Sequence, residues 1–292
     1  MQVTKLQDAE SRPRRVAVGE FDGVHLGHRE VIAGNDTVLT FEPHPLAVIR
    51  PEATPKLLTS LEAKIELIER LDVAELVVIP FDDTFAAQSP QEFVDEVLVS
   101  RLCATHVSVG ENFRFGHRAT GDPGLLASDE RFETRVVTLV EVDGEIVSSS
   151  HIRALVLAGD VEHAAHFLGS PFQLRGEVVT GDRRGRTLGF PTANVVPDED
   201  LVCPGHGVYA ARADGVCAAV NVGVRPTFGT GRGVLVEAYL LDRDVDLYGQ
   251  TLRIDFLARL RGERRFNTAE ALIEQMEQDV ELTRELCGPD TP

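Results

Sequence analysis

A change of rhythm at Gly169 constrains this chain more than any other feature of its sequence. Up to residue 168, short β-branched runs alternate with helical stretches. Beyond Pro171 the chain reads as strands separated by glycine-rich turns. With 292 residues there is room for two ordinary domains, expected at 1–168 and 171–292. In the first half, strands are expected at 15–19, 37–41, 75–80, 105–110 and 135–140, with helices in the gaps. That alternation predicts a doubly wound, Rossmann-like parallel sheet with helices on both faces. Thr59 with Glu62, and Ser89 with Glu92, each fit a capping box, and Pro90 stands at a first helical position. Two short helices, 150–158 and 160–168, are expected to end at Gly159 and Gly169.

The second half predicts strands at 173–180, 208–213, 216–222, 234–241 and 252–259. Asp214-Gly215 between two of these runs is a hairpin signal. A final amphipathic helix is expected from Asn267 or Thr268, with Leu272, Ile273, Met276 and Val280 on one face. A small antiparallel β-barrel with a terminal helix accounts for all of this.

The unusual segments of the first half share a location. GEFDGVHLGH (19–28), TFEPHP (40–45), PFDDTF (80–85) and GENFRFG (110–116) each meet the end of an expected strand, and SSSHIR (148–153) follows the fifth. In an open parallel sheet these positions lie at the carboxyl edge, where such folds bind ligands. Within the first segment, His25 and His28 sit where a strand hands over to a helix, and Gly27 lets an anion approach the backbone. Two imidazoles three residues apart can donate hydrogen bonds to phosphate oxygens and stabilise charge developing in a transition state. A metal pair and two surface histidines are the alternatives. His163 and His166, also three apart, lack a third ligand and read as surface residues.

The formal net charge of −18, from 47 acidic and 29 basic residues, argues against nucleic acid as a partner. The basic residues cluster at Arg12-Arg14-Arg15, Arg183-Arg184-Arg186 and 261–265, which suits one small polyphosphate better. No apolar run approaches the roughly 20 residues that span a bilayer, so no membrane association is expected. The polar N-terminus carries no signal-peptide pattern. Cys103, Cys203, Cys217 and Cys287 form no CxxC pair, so a reduced, cytoplasmic protein is expected.

GEFDGVHLGH resembles the HxGH signature of the nucleotidylyltransferase superfamily, and SSSHIR resembles the second phosphate motif of its flavin-adenylylating branch. TFEPHP and GENFRFG match that branch too, so the resemblance covers the whole first half. It implies that Gly19, Phe21, Gly23, His25, Gly27, His28, Ser149 and Arg153 handle ATP. It also implies that Asn112, Phe113 and Arg114 line the FMN and adenine pockets. Two features depart from the family. Only twelve residues separate His28 from Phe41, which leaves about two turns for the first crossover helix. His151 stands where the family usually has arginine.

Residues 181–194, GDRRGRTLGFPTAN, combine three glycines and three arginines in nine residues with an extended segment. The stretch lacks GK[ST] and opens no helix, so it is not a P-loop. Thr192 and Asn194 alternate along the chain, which lets both oxygens face one Mg²⁺. The second half resembles riboflavin kinase through this stretch, 207–210, 221–228, Glu237 and 246–249. That resemblance implies that Gly181, Arg183, Gly185, Thr187, Gly189, Thr192 and Asn194 bind Mg²⁺-ATP. Glu237 would be the general base, and Arg261 and Glu263 would border the flavin.

Together the halves resemble the bacterial FAD synthetase family, bifunctional enzymes that are both riboflavin kinase and FMN adenylyltransferase. The expected function is FAD biosynthesis: phosphorylation of riboflavin to FMN, then adenylyl transfer from ATP to FMN. Riboflavin, FMN, FAD and ATP are the expected partners, Mg²⁺ the cofactor, and the oligomeric state is left open. A kinase whose first half is inactive and a non-enzymatic flavin carrier are the alternatives. The second has no use for two phosphate sites.

Overall fold

The computed structural model describes residues 1–180, 190–224, 234–243 and 245–288. It divides into two compact units, Met1–Ser149 and Ser150–Pro292. The first is a six-stranded parallel sheet of β1 (Gln2–Lys5), β2 (Arg14–Val18), β3 (Thr37–Glu42), β4 (Glu75–Pro80), β5 (Ala104–Gly110) and β6 (Glu133–Val137). Their order across the sheet is β1-β4-β3-β2-β5-β6. From β2 the chain moves outward through β3 to β4, then returns to β5 on the other side of β2. The crevice between the carboxyl ends of β2 and β5 is therefore the topological switch point, the place where open α/β sheets take ligands.

Strand alternation explains why both faces are covered. Val16, Val18, Leu39, Val77, Ile79, Val107 and Val109 enter one buried cluster. Ala17, Val38, Leu76 and Val78 enter another, with Ile32 of helix α1 (Leu26–Ile32) and Ile68 of helix α2 (Leu61–Glu69). Two apolar faces require two helical layers, as a doubly wound sheet has. The first crossover helix is seven residues, two turns, as its spacing predicts. Ser89 and Glu92 form the expected capping box, whereas α2 is capped by Ser60 rather than Thr59. The Thr59 hydroxyl instead meets the amide of Gly23 at 3.1 Å.

Two features of the first unit were not expected. The polar N-terminus supplies β1, which pairs parallel to β4 at the sheet edge. The last strand ends at Val137, and a short hairpin, β7 (Glu141–Val142) with β8 (Glu145–Ile146), follows it. Arg12 and Arg14, read above as part of a polyphosphate-binding cluster, are structural. Both reach Glu75, at 2.6 and 2.9 Å, and Arg14 is buried at the amino ends of the strands, away from the carboxyl edge.

The second unit opens with helices α3 (Ser149–Ala158, whose first residue closes the first unit) and α4 (Val161–Leu168). Gly159 and Gly169 follow them at φ of +83° and +69°, the left-handed backbone expected of helix ends. The closed antiparallel barrel contains β9 (Phe172–Val179), β10 (Ala193–Pro197), β11 (Gly207–Ala213), β12 (Val216–Val224), β13 (Val234–Leu240) and β14 (Thr251–Arg261). Asp214 and Gly215, both at positive φ, turn β11 into β12. Helix α5 (Ala269–Cys287) starts after the Thr268 cap. Val236, Ala238 and Leu240 of β13 face the barrel interior, while Glu237 and Tyr239 face outward.

Candidate active sites

The first site is the loop from β2 to α1, and its backbone is held at every residue. The Gly19 amide donates to Leu39, and the Glu20 carbonyl accepts from Thr40 Oγ1. The Phe21 carbonyl accepts from Val24, and the Asp22 carbonyl from Ser149 Oγ at 2.9 Å. Gly23 donates to Thr59, Val24 accepts from Arg29 Nε, and His25 accepts from the Arg29 amide. Such bracing is needed, because Phe21 and Val24 adopt φ of +51° and +43°. Left-handed backbone costs such residues about 1–3 kcal/mol each and persists only where the surroundings over-determine it. Gly23, at +87°, meets the same turn without that cost.

This loop aims two imidazoles. His25 caps α1, its Nδ1 accepting the His28 amide at 3.2 Å, so the ring carries its proton on Nε2. The two rings stack with centroids 3.5 Å apart, and Phe21 packs edge-on against His28. Burial pushes the His25 imidazole down to about 4, and Arg29 acts in the same direction. Burial, then His25 and Lys64, hold His28 well below the usual histidine range. Both rings are therefore neutral near pH 7, and His28 Nδ1 is buried with no hydrogen-bond partner among the described residues. Burial pushes the neighbouring Glu20 carboxyl up to about 8, with Asp22 and Glu42 adding to the shift and Lys64 opposing it. A protonated Glu20 removes one anion from a loop expected to meet phosphate.

The structure refines several expected roles. At Gly27 an added Cβ would stand 3.2 Å from Cε1 of His25, so the ring would have to give by a few tenths of an ångström. Gly19 makes room for the ring of Phe21, 3.0 Å from the same construction. Phe21 is buried and packs edge-on against His28. The Ser149 hydroxyl donates to the loop carbonyl of Asp22. Asn112, Phe113 and Arg114 follow β5, on the other wall of the switch-point crevice. Phe113 stacks on Phe115, while Asn112 and Arg114 are exposed. Arg153 lies one turn into α3, within the second unit, and His151 packs against Phe167. His163 is exposed and bonded to Asp160 at 2.6 Å, and no cluster of three metal-ligating side chains exists among the described residues.

The second site lies on the outer face of the barrel. Strand register puts Asn194 of β10 and Asn221 of β12 directly opposite Glu237 of β13, one on each side. Directly opposite residues on adjacent strands share a face. Asn221 Nδ2 donates to Glu237 Oε2 at 3.2 Å, which fixes that carboxylate. Thr192, two residues before Asn194, falls on the same face. Glu237, Thr192, Asn221, Arg261 and Glu263 all line one cavity of about 730 Å³ between the barrel and α5. Phe190, Tyr239 and Phe266, with Leu272, Met276 and Val280 on one stripe of α5, make its apolar walls. Its size lies within the range of small-molecule pockets. A second cavity, about 420 Å³, shares Thr192 and is lined by Val178, Pro191, Leu240, Asp246 and Tyr248.

Sequence reasoning missed two residues here. Asn221 stood inside a quoted motif without a role; its outward position beside Glu237 needed the strand register. Asp279 of α5 is buried and grips Arg261 through Nε–Oδ1 and Nη2–Oδ2 contacts of 3.0 and 2.7 Å. Among charged groups on a largely exposed helix, no local signal marks it. Gly181, Arg183, Gly185, Thr187 and Gly189 lie outside the described residues, as does the part of the 221–228 motif beyond Val224.

Comparison with known proteins matches the two parts of the chain to two different families. The family model described as FAD synthetase matches residues 7–151, and the model for riboflavin kinase matches 168–287. A Bacillus subtilis protein named bifunctional riboflavin kinase/FMN adenylyltransferase is 39% identical, covering 90% of this chain and 89% of its own. An Escherichia coli protein of the same name is 35% identical over 95% of this chain and 94% of its own. A solved structure described as a macrolide-efflux protein from Streptococcus pneumoniae aligns with a TM-score of 0.88 at 28% identity. That alignment covers 97% of this chain and 99% of the other. No helix among the described residues is long and apolar enough to cross a membrane.

Proposed function

This chain belongs to the bifunctional riboflavin kinase/FMN adenylyltransferase family, and on that premise we propose that it converts riboflavin to FMN and FMN to FAD. The observation that carries the reading is convergence within each unit. The matched His25 and His28 meet on one braced loop, and the matched Thr192, Asn194 and Glu237 meet on one barrel face.

In the kinase half, the larger cavity takes the flavin and the smaller one the nucleotide, with Thr192 where they meet. The ribityl 5′-hydroxyl oxygen attacks the γ-phosphorus of ATP, and the bond to the β–γ bridging oxygen breaks. ADP leaves with that electron pair, and Glu237 takes the hydroxyl proton. Asn221 keeps the Glu237 carboxylate turned toward the cavity. Arg261 and Glu263 border the flavin, and the Asp279 clamp sets the guanidinium of Arg261. Thr192 and Asn194 offer hard oxygen ligands on one face, the donor set Mg²⁺ accepts when it keeps waters and phosphates as its other ligands. When bound there, the ion would neutralise phosphate charge. The residues at 181, 183, 185, 187 and 189 complete the ATP site by the family resemblance.

In the first half, a phosphate oxygen of FMN attacks the α-phosphorus of ATP, and pyrophosphate leaves with the electrons of the broken bond. No protein nucleophile is needed. His25, with its proton on Nε2, donates to a phosphate oxygen, and His28 adds a second donor as charge builds. Arg153 binds the triphosphate by the same family resemblance, and Asn112, Phe113 and Arg114 border FMN and adenine. All four cysteines are free thiols, which suits a reducing cytoplasm, where we place the enzyme.

The test is chromatographic. Purified protein is incubated with riboflavin, ATP and Mg²⁺, and the flavins are separated over time. Transient FMN followed by FAD is expected. FMN that accumulates without FAD would reduce the protein to a kinase, and unchanged riboflavin would overturn both halves of the reading.

A further inference from the structure

Two side chains outside the phosphate motifs hold the histidine loop in place. Asp22 Oδ1 accepts the amides of Leu58 and Thr59 at 2.8 and 3.1 Å. Thr59 Oγ1 stands 3.4 Å from the same oxygen and accepts the Gly23 amide at 3.1 Å. Both side chains are more than nine-tenths buried. The contact spans 36 residues, joining the loop after β2 to the segment that leads into α2. It grips the loop between the two left-handed non-glycine positions, Phe21 and Val24.

A hydroxyl is the only group of this size that serves both partners at once. It accepts from Gly23 while pointing its own proton at Asp22, and the carboxylate orients it for that task. Without the hydroxyl the Gly23 amide is buried and unpaired, and the turn that His25 depends on loses one of its tertiary anchors. Near-attack geometry is sensitive to displacements well under 1 Å.

We propose that Asp22 and Thr59 are positioning residues for adenylyl transfer, acting through the loop that aims His25 and His28 and touching no substrate themselves. The proposal rests on the reading of the first half given above. It assigns Thr59 a task in catalysis in place of the helix-capping task its sequence context suggests.

The experiment uses the full chain with Thr59→Val, Thr59→Ser and Asp22→Asn. FAD formation from added FMN and ATP, and FMN formation from riboflavin, are measured on the same preparations. In Thr59→Val, kcat for FAD formation is expected to fall at least tenfold while KM for ATP and FMN changes less than twofold. FMN formation stays at the wild-type rate, which shows that the preparation is folded. Thr59→Ser restores the hydroxyl and is expected within twofold of wild type. Asp22→Asn keeps the shape but weakens the charge-assisted bonds, and is expected to lose threefold or more. A wild-type kcat in Thr59→Val or Asp22→Asn, or a loss that serine does not rescue, would overturn the proposal. Absence of FAD formation by the wild-type protein would instead refute the reading of the first half.

Discussion

Replacing Gly27 with alanine separates stability from catalysis within one methyl group. Inside a helix, Gly→Ala is ordinarily favourable by up to about 1 kcal/mol, because the unfolded chain loses freedom. Here the new Cβ would lie 3.2 Å from His25 Cε1 and 3.3 Å from Nδ1. Ordinary contact begins about 0.3–0.5 Å farther out, so the ring must yield by that amount. His25 has little room to yield independently, since its ring stacks on His28 and its Nδ1 holds the His28 amide. A misplacement of about 1 Å at a reacting centre costs roughly 100-fold. Scaling that to the required shift gives a loss of about four- to tenfold in kcat for FAD formation. The assay measures FAD formation from FMN and ATP, with riboflavin phosphorylation as the internal control and a thermal melt for stability. The expected result is lower kcat, unchanged kinase rate and a melting temperature equal to or above wild type. An unchanged kcat would refute the steric argument. A raised KM for ATP at constant kcat would show that Gly27 makes room for nucleotide and not for the histidine ring.

Three further outcomes follow from the same geometry. Glu237→Gln keeps the shape beside Asn221 but cannot take a proton, so FMN formation should fall by about 10²–10⁴, the usual worth of a general base, while FAD formation from added FMN persists; loss of both would contradict two separate sites. Asp279→Ala leaves the Arg261 guanidinium uncompensated in a largely buried position, which should destabilise the barrel unit by about 3–5 kcal/mol and raise KM for riboflavin, read by denaturant melts and kinase kinetics. The His25 shift makes stability depend on pH: the folded value of about 4 lies below the unfolded 6.5, so the unfolded chain binds more protons between them. Stability is full above 6.5 and falls as pH drops toward about 4, and a His25→Gln variant should show a flatter melting profile across that window; identical slopes would overturn the assignment.

Much of the fold was legible because the patterns that encode it are local. The parallel sheet follows from alternation of strand and helix signals, and the barrel from closely spaced strands with Asp214-Gly215 between two of them. β1 escaped notice because three of its four residues are polar and three are exposed, Val3 among them. Only pairing with β4 makes it a strand. The Thr59 capping box was misread because two adjacent hydroxyls, Thr59 and Ser60, compete for the cap, and tertiary contact with Gly23 decides between them. Arg12 and Arg14 looked like anion ligands because charge in a sequence carries no direction. Their partner, Glu75, lies more than sixty residues away. The candidate site residues stood in recognisable motifs, but their mutual support did not, since Asn221, Asp279, Asp22 and Thr59 meet their partners across elements.

The two sites share one way of orienting their reactive groups. His25 Nδ1 is held by a backbone amide, and Glu237 by the side-chain amide of Asn221. Neither has an ion-pair partner among the described contacts. A direct ion pair would bias protonation strongly, since an opposite charge within hydrogen-bond reach stabilises the charged form. Neutral donors and acceptors fix a tautomer or a rotamer and leave the proton free to move or be shared during reaction. Full charge pairs occur farther back. Asp279 grips Arg261 on the helix side of the larger barrel cavity, and Glu75 grips Arg14 at the amino ends of the parallel strands. Strong, directional clamps therefore secure the scaffold, while weaker neutral contacts aim the groups that must change state. This division predicts that Asn221→Asp, which sets a second carboxylate beside Glu237, should harm phosphorylation more than Asn221→Ala. Two carboxylates in contact repel each other, so Glu237 loses the orientation that the Asn221 amide gives it. In a riboflavin phosphorylation assay, kcat should then fall further in Asn221→Asp than in Asn221→Ala. Equal losses would mean that Asn221 only fills space.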